Sequence, residues 1–199
     1  MTSLATADDR TLFFDMLPVR LRTRSSGPDH GPTSGAVIKL KVFTVPGQNI
    51  HASARRMVLD GADGVVFVAD SRRDQIAVNA ESFAEMRGNF EALNVDLREL
   101  PLVIQFNKRD LPSIRDDDEL TVLADRGREP VYPAVASRGI GVVETFVALL
   151  AQVWKKRGGD DETHFLDEAA RQLSGEVDAA TLLARRFGDG GVGMETQQP

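Results

Sequence analysis

Three runs of apolar residues stand out along the chain: Gly64 to Asp70 (GVVFVAD), Leu100 to Asn107 (LPLVIQFN) and, more weakly, Pro130 to Ala136 (PVYPAVA). Runs without alternation suit strands buried on both faces, as in a parallel sheet covered by helices. Between and after them the period changes. Phe83, Met86, Phe90 and Leu93 form one stripe over Ala77 to Leu93, and Val143, Phe146, Leu150 and Val153 form another over Val142 to Trp154; both have the spacing of an amphipathic helix. Upstream, Val37 to Thr44 (VIKLKVFT) alternates apolar and polar, the pattern of a half-buried strand. Leu12 to Leu21 (LFFDMLPVRL) reads as its hairpin partner, with Pro18 marking an edge or a bend. A glycine, proline and serine cluster at residues 23–36 separates the two, and a short helix is expected over roughly Ser53 to Leu59. Strand–helix alternation of this kind predicts a doubly wound α/β sheet.

The acidic stretch Asp116-Asp117-Asp118-Glu119 precedes a short helical pattern and reads as a solvated helix start rather than a metal site, since acids favour a helix N-terminus. After Arg157 the composition shifts at Gly158-Gly159-Asp160-Asp161. One or two helices are expected over residues 162–187, with a possible break at Ser174-Gly175, and the end, GDGGVGMETQQP, reads as disordered. The chain thus divides into residues 1–157 as one α/β domain and 158–199 as a helical extension with a tail.

Composition narrows the classes. Of 199 residues, 24 are Lys or Arg and 30 Asp or Glu, for a net charge of -6, which argues against a general nucleic-acid or anionic-membrane binder. With no cysteine, disulfides and thiolate metal sites are excluded. The longest apolar run is far too short to span a bilayer, and the first residues lack the pattern of a signal peptide, so a cytoplasmic protein is expected. His30, His51 and His164 are isolated, without ligand spacing. Arg20, Arg22 and Arg24 form a small basic patch beside the hairpin loop, read as a solvated edge.

Ligands of an open α/β sheet bind outside the carboxyl ends of the strands, and three strand ends here carry suggestive residues. Asn107-Lys108-Arg109-Asp110 follows the apolar run LPLVIQF and matches the N-K-x-D pattern that reads guanine. The carboxylate of Asp110 can accept from two adjacent N–H donors of guanine that adenine lacks, and the alkyl stem of Lys108 can cover a purine ring. A buried polar site of this sort rejects the wrong base by factors on the order of 10⁴. Thr44-Val45-Pro46-Gly47-Gln48 closes the alternating strand. Gly47 lets the backbone approach a phosphate and Gln48 can orient an attacking water; a plain proline–glycine turn accounts for the same residues equally well. Arg10 and Thr11 add a cation for transition-state charge and a hydroxyl for magnesium, and Ala136 offers a backbone N–H to a guanine carbonyl. By themselves these last three residues are weak signals. No phosphate-cradling G-x-x-x-x-G-K-S/T segment occurs in the 199 residues.

With these residues assembled, the chain resembles the MglA family of bacterial Ras-like small GTPases, which control cell polarity and gliding motility. The resemblance covers about residues 2–156 and is carried by Thr2 to Asp15, Thr44 to Gln48, Gly61 to Ser71 and Val103 to Pro112. TVPGQ together with VVFVADS is much more specific than N-K-x-D alone. The resemblance implies a Ras-like P-loop NTPase fold, GTP and GDP as ligands with Mg²⁺, and hydrolysis assisted by Gln48 and Arg10. It implies nucleotide contacts from Asn107, Lys108, Asp110, Ala136, Gly47 and Thr11, with Thr11 also a magnesium ligand. It further implies a roadblock-type MglB activator and motility or polarity effectors as partners. The chain departs from the family in its longer loop at 23–36 and in lacking the first strand, phosphate loop and first helix. The expectation is therefore a GTP-operated switch whose protein begins upstream of Met1. The alternative is a non-catalytic relative that keeps the scaffold as a protein-interaction module.

Overall fold

The computed structural model describes residues 2–5, 11–14, 16–22, 37–45, 56, 58–159 and 165–175. Among them, β1 (Thr2–Ala5) pairs antiparallel with β2 (Thr11–Phe14), and β3 (Met16–Arg22) with β4 (Val37–Phe43). A parallel sheet in the order β5-β6-β7 follows, formed by β5 (Val65–Asp70), β6 (Leu102–Asn107) and β7 (Val131–Pro133). The helices are α1 (Ile76–Ala92), α2 (Asp117–Arg126), α3 (Val142–Lys156) and α4, residues 165–175. Every apolar run became a strand and both stripes became helices. The hairpin partner differs: the expected strand Leu12 to Leu21 is shared between β2, which pairs with β1, and β3, which alone pairs with β4. Pro18 sits where it does no harm. Arg22 turns its backbone N–H away from β4, towards Gln172 of α4 (2.9 Å); by the strand period Pro18 also turns its nitrogen outward, so its missing N–H removes no ladder bond.

The parallel sheet is covered on both sides. Register places Phe67, Ile104 and Phe106 on the face packed by α1 and α2. Phe67 meets Phe83 edge-on with ring centroids 5.0 Å apart, and Phe90, almost fully buried, centres that cluster. On the other face lies α3. There Gln105 donates to Thr145 Oγ1 at 2.8 Å and to the Gly141 carbonyl at 3.3 Å, so a buried polar pair is satisfied rather than orphaned. The β3–β4 hairpin lies beside α3, and Val19 and Leu21 are buried against Leu150, Phe165, Ala169 and Leu173. Trp154 stacks on Phe165 at 4.2 Å between centroids. Helix α4 is therefore built into the hairpin's core.

One edge of this sheet is open among the described residues. Val65 and Ser71 direct their N–H groups to Pro101 and Asn107 of the β6 segment, each at 2.9 Å. The strand period turns those of Val66 and Val68 the other way, where no described strand lies. Val68 is 55% exposed in the middle of a strand. Residue 70 escapes this problem because Asn79 of α1 accepts from its N–H (3.0 Å) and donates to its carbonyl (2.8 Å).

Gly141 is the tightest backbone position. Its φ of +75° is left-handed, and a Cβ there would collide with the Pro133 carbonyl and come within 2.9 Å of Ala134 Cα. Gly141→Ala is expected to cost more than about 2 kcal/mol, since the left-handed penalty alone is about 1–2 kcal/mol. Urea unfolding of parent and variant checks this.

Candidate functional site

The site assembles where the three parallel strands end. Register pairs Asp70 with Asn107 at the ends of β5 and β6, and the turn after β7 carries Ala136. Asn107 joins two of these ends: its side-chain carbonyl accepts from Lys108 N (2.8 Å) and from Ala136 N (2.9 Å). Arg109 N donates to the Ala134 carbonyl (3.1 Å), pinning the same two loops a second time. Lys108 takes a left-handed φ of +64°, a conformation disfavoured for a non-glycine residue and held here by these bonds.

Lys108 then reaches across to β5, donating from Nζ to Asp70 Oδ2 at 2.7 Å. Asp70 is gripped from its other side by Arg72, whose Nη2 lies 2.9 Å from Oδ2 and whose Nε is 3.2 Å from both oxygens. The Arg72 guanidinium, with Lys108 adding to it and burial opposing, holds the Asp70 carboxyl well below the usual carboxylate range. Asp70 is thus a fixed anion, and the Lys108 stem stretches over the strand ends between two anchored points. Arg109, whose side chain is mostly buried, ties the loop to α2 through the Arg115 carbonyl and Asp117. That helix starts with a reciprocal cap: Asp116 accepts from Glu119 N (2.8 Å) and Glu119 from Asp116 N (3.0 Å). The acidic stretch is a helix start, as its composition predicted.

Asp110 differs from its neighbours. Its carboxylate makes no hydrogen bond with any described residue and has only a long ion pair, 3.9 Å from Arg138 Nη2, while its side chain is 29% exposed. Two acceptor oxygens are thereby left without a hydrogen-bond partner among the described residues, and a carboxylate of that kind can accept from a pair of adjacent N–H donors on a flat ring. The chain is 40% identical over 161 residues to "Mutual gliding-motility protein MglA" of Myxococcus xanthus (strain DK1622), a match that spans 80% of this chain and 78% of that protein. The chain belongs to the MglA family of small GTPases. No family model matches it.

Of the residues the sequence singled out, Asn107, Lys108, Asp110 and Ala136 come together at one edge of the sheet. The Ala136 N–H is occupied by Asn107, so its role in the structure is to tie the loops, and a guanine carbonyl there would have to share that donor. Thr11 begins β2, opposite Ala5. Arg10, Gly47 and Gln48 lie outside the described residues, as do most of the helix expected over Ser53 to Leu59 and the tail. Magnesium finds no ready-made cage: no group of three or more His, Cys, Asp or Glu side chains among the described residues is placed to hold a metal. A magnesium ion bound mainly through phosphates and a single hydroxyl needs no such cage. Among the described residues no helix is long and apolar enough to cross a membrane.

Sequence reasoning missed Asp70 and Arg72. The signal was present: an acid ends the VVFVAD strand, and two parallel strands of equal length put their last residues side by side.

Proposed function

We propose that this chain carries the base-reading and water-positioning parts of a GTP-operated switch that serves cell polarity or gliding motility. The observation that carries the reading is the N-K-R-D loop: its asparagine and lysine are fixed by hydrogen bonds while Asp110 keeps two acceptor oxygens in hand. In this reading Asp110 accepts from the guanine donors and the Lys108 stem covers the ring. Asn107 and Ala136 hold the two loops at the right separation. Gln48 orients the attacking water and Arg10 meets charge developing on the phosphates. Thr11 is the candidate magnesium ligand, and the ion, when bound, would neutralise phosphate charge.

No G-x-x-x-x-G-K-S/T segment occurs in the 199 residues, so the phosphate half of the site needs a phosphate loop, with its strand and helix, supplied in addition to them. Such a strand would pair with the open β5 edge and cover the exposed Val68. A roadblock-type MglB activator and motility or polarity effectors are the proposed protein partners. Competition of GTP against ATP on a chain extended upstream of Met1 to carry a phosphate loop tests the reading. A strong preference for GTP is expected; equal competition would overturn it.

A further inference from the structure

The hairpin places four cations together with no counter-ion among the described residues. Register sets Arg20 directly opposite Lys39 and Pro18 opposite Lys41, with Arg22 opposite Val37 and Met16 opposite Phe43. Because partners in a register share a face and alternate residues lie on the same side, one face of the hairpin reads Met16, Pro18, Arg20, Arg22 on β3 and Val37, Lys39, Lys41, Phe43 on β4. All four basic residues on it are exposed. None makes an ion pair or side-chain hydrogen bond with another described residue, and the residues named on this face include no acid. The opposite face is the one packed on α3 and α4 through Val19, Leu21, Leu40 and Val42.

This concentration runs against the rest of the chain, where 30 acids outnumber 24 bases. Like charges directly opposed across strands destabilise a sheet, so the arrangement costs stability in the isolated chain. The chain's own acidic stretch does not relieve it, because Asp116, Asp117 and Glu119 are engaged by Arg73 and Arg109.

We infer that this face docks an acidic amphipathic helix of a partner protein. The spacing matches: alternate residues on a strand are about 6.6–6.8 Å apart, and acids at i and i+4 of a helix are separated by about 6 Å. One row of Glu or Asp along such a helix would therefore meet Lys39 and Lys41, or Arg20 and Arg22, in step. Pro18, Val37 and Phe43, exposed among the cations, give apolar flanks for the same helix. A lipid surface fits less well. Four cations supply only about 1 kcal/mol each of attraction to an anionic membrane, below what stable anchoring takes.

The test titrates the 199-residue chain with a synthetic helical peptide bearing glutamates at i and i+4, and in parallel with 3:1 phosphatidylcholine–phosphatidylserine vesicles. Three proteins are compared: the parent, Arg20→Gln/Arg22→Gln/Lys39→Gln/Lys41→Gln, and a charge-matched control, Arg87→Gln/Arg98→Gln/Arg126→Gln/Lys155→Gln. Circular dichroism verifies that each variant keeps the parent's fold, which side chains this exposed permit. Expected is salt-sensitive peptide binding by the parent, weakened about tenfold or more in the hairpin variant and within about threefold of the parent in the control. Equal weakening in both variants would show a diffuse charge effect and overturn the inference. Binding to vesicles without the peptide, binding of the parent only to a second copy of itself, or binding to neither probe would overturn it as well.

Discussion

Gln48→Ala and Arg10→Ala are each expected to slow GTP hydrolysis by about 10²-fold or more in a chain extended upstream of Met1, while GTP affinity stays within a few-fold. Both groups would act on the attacking water and on charge that develops only as the terminal phosphate departs. An interaction made only in the transition state lowers turnover without lowering ground-state binding. Removing one well-placed donor to such charge costs about 10²–10³ in rate, and a cationic finger is worth about 10³–10⁵. Stimulated single-turnover hydrolysis measured beside nucleotide affinity separates the two effects. Unchanged turnover in either variant removes that residue from the mechanism, and an equal loss of affinity would make it a binding residue instead.

Asp110→Asn should produce the second large effect, on binding. The substitution replaces one acceptor oxygen with an amide donor facing a guanine donor, so a charge-assisted bond is lost and a repulsive contact takes its place. Hydrogen bonds to charged groups are worth about 1.5–3 kcal/mol each, and an affinity loss for GTP on the order of 10²-fold follows. Xanthosine triphosphate presents an acceptor where guanine presents a donor, and should gain on GTP in the same variant. The surroundings make this a clean change: Asp110 makes no hydrogen bond to a described residue and only a 3.9 Å ion pair with Arg138, so little of the loop's own structure depends on it. Asn107 is the contrasting case. Replacing it would release both Lys108 N and Ala136 N, and a loss of binding there would report loop structure as much as recognition.

Much of the fold was legible because burial writes itself into period. The run at 100–107 lacks polar alternation because helices pack on both faces of β6, and Phe83, Met86 and Phe90 recur at helical spacing because one side of α1 faces Phe67. The start of α2 was legible from local chemistry, a capping aspartate with a glutamate three residues on. What stayed hidden depends on register and on contacts distant in sequence. Thr2–Ala5 has no alternation to mark it as a strand. The division of Leu12 to Leu21 between two partner strands is a matter of pairing, β2 with β1 and β3 with β4. Gln105 is polar within an apolar strand, and only its contact with Thr145, 40 residues away, shows why it is tolerated there.

The candidate site divides the same way. Asn107, Lys108 and Asp110 were visible because their chemistry is packed into four consecutive residues at a strand end. Asp70, which holds Lys108, and Arg72, which holds Asp70, were not, since 38 residues separate Asp70 from the lysine it binds. Lys39 and Lys41 were read only as the polar half of an alternating strand. Knowing that Arg20 and Lys39 are register partners turns them into part of a charged face.

Isothermal titration of Mg·GTP into the 199-residue chain, beside a chain extended upstream of Met1, tests the central claim most directly, namely that the base-reading half of a GTP site lies in these residues and the phosphate half does not. Phosphates carry most of the ligand's charge, and the backbone N–H groups and lysine of a phosphate loop would meet it. A few base-reading hydrogen bonds, even at about 1.5–3 kcal/mol for each one to the Asp110 carboxylate, do not replace that loop. The account predicts weak or undetectable binding by the 199-residue chain and at least about 10³-fold tighter binding by the extended one, whereas micromolar, magnesium-dependent binding by the 199-residue chain would contradict it.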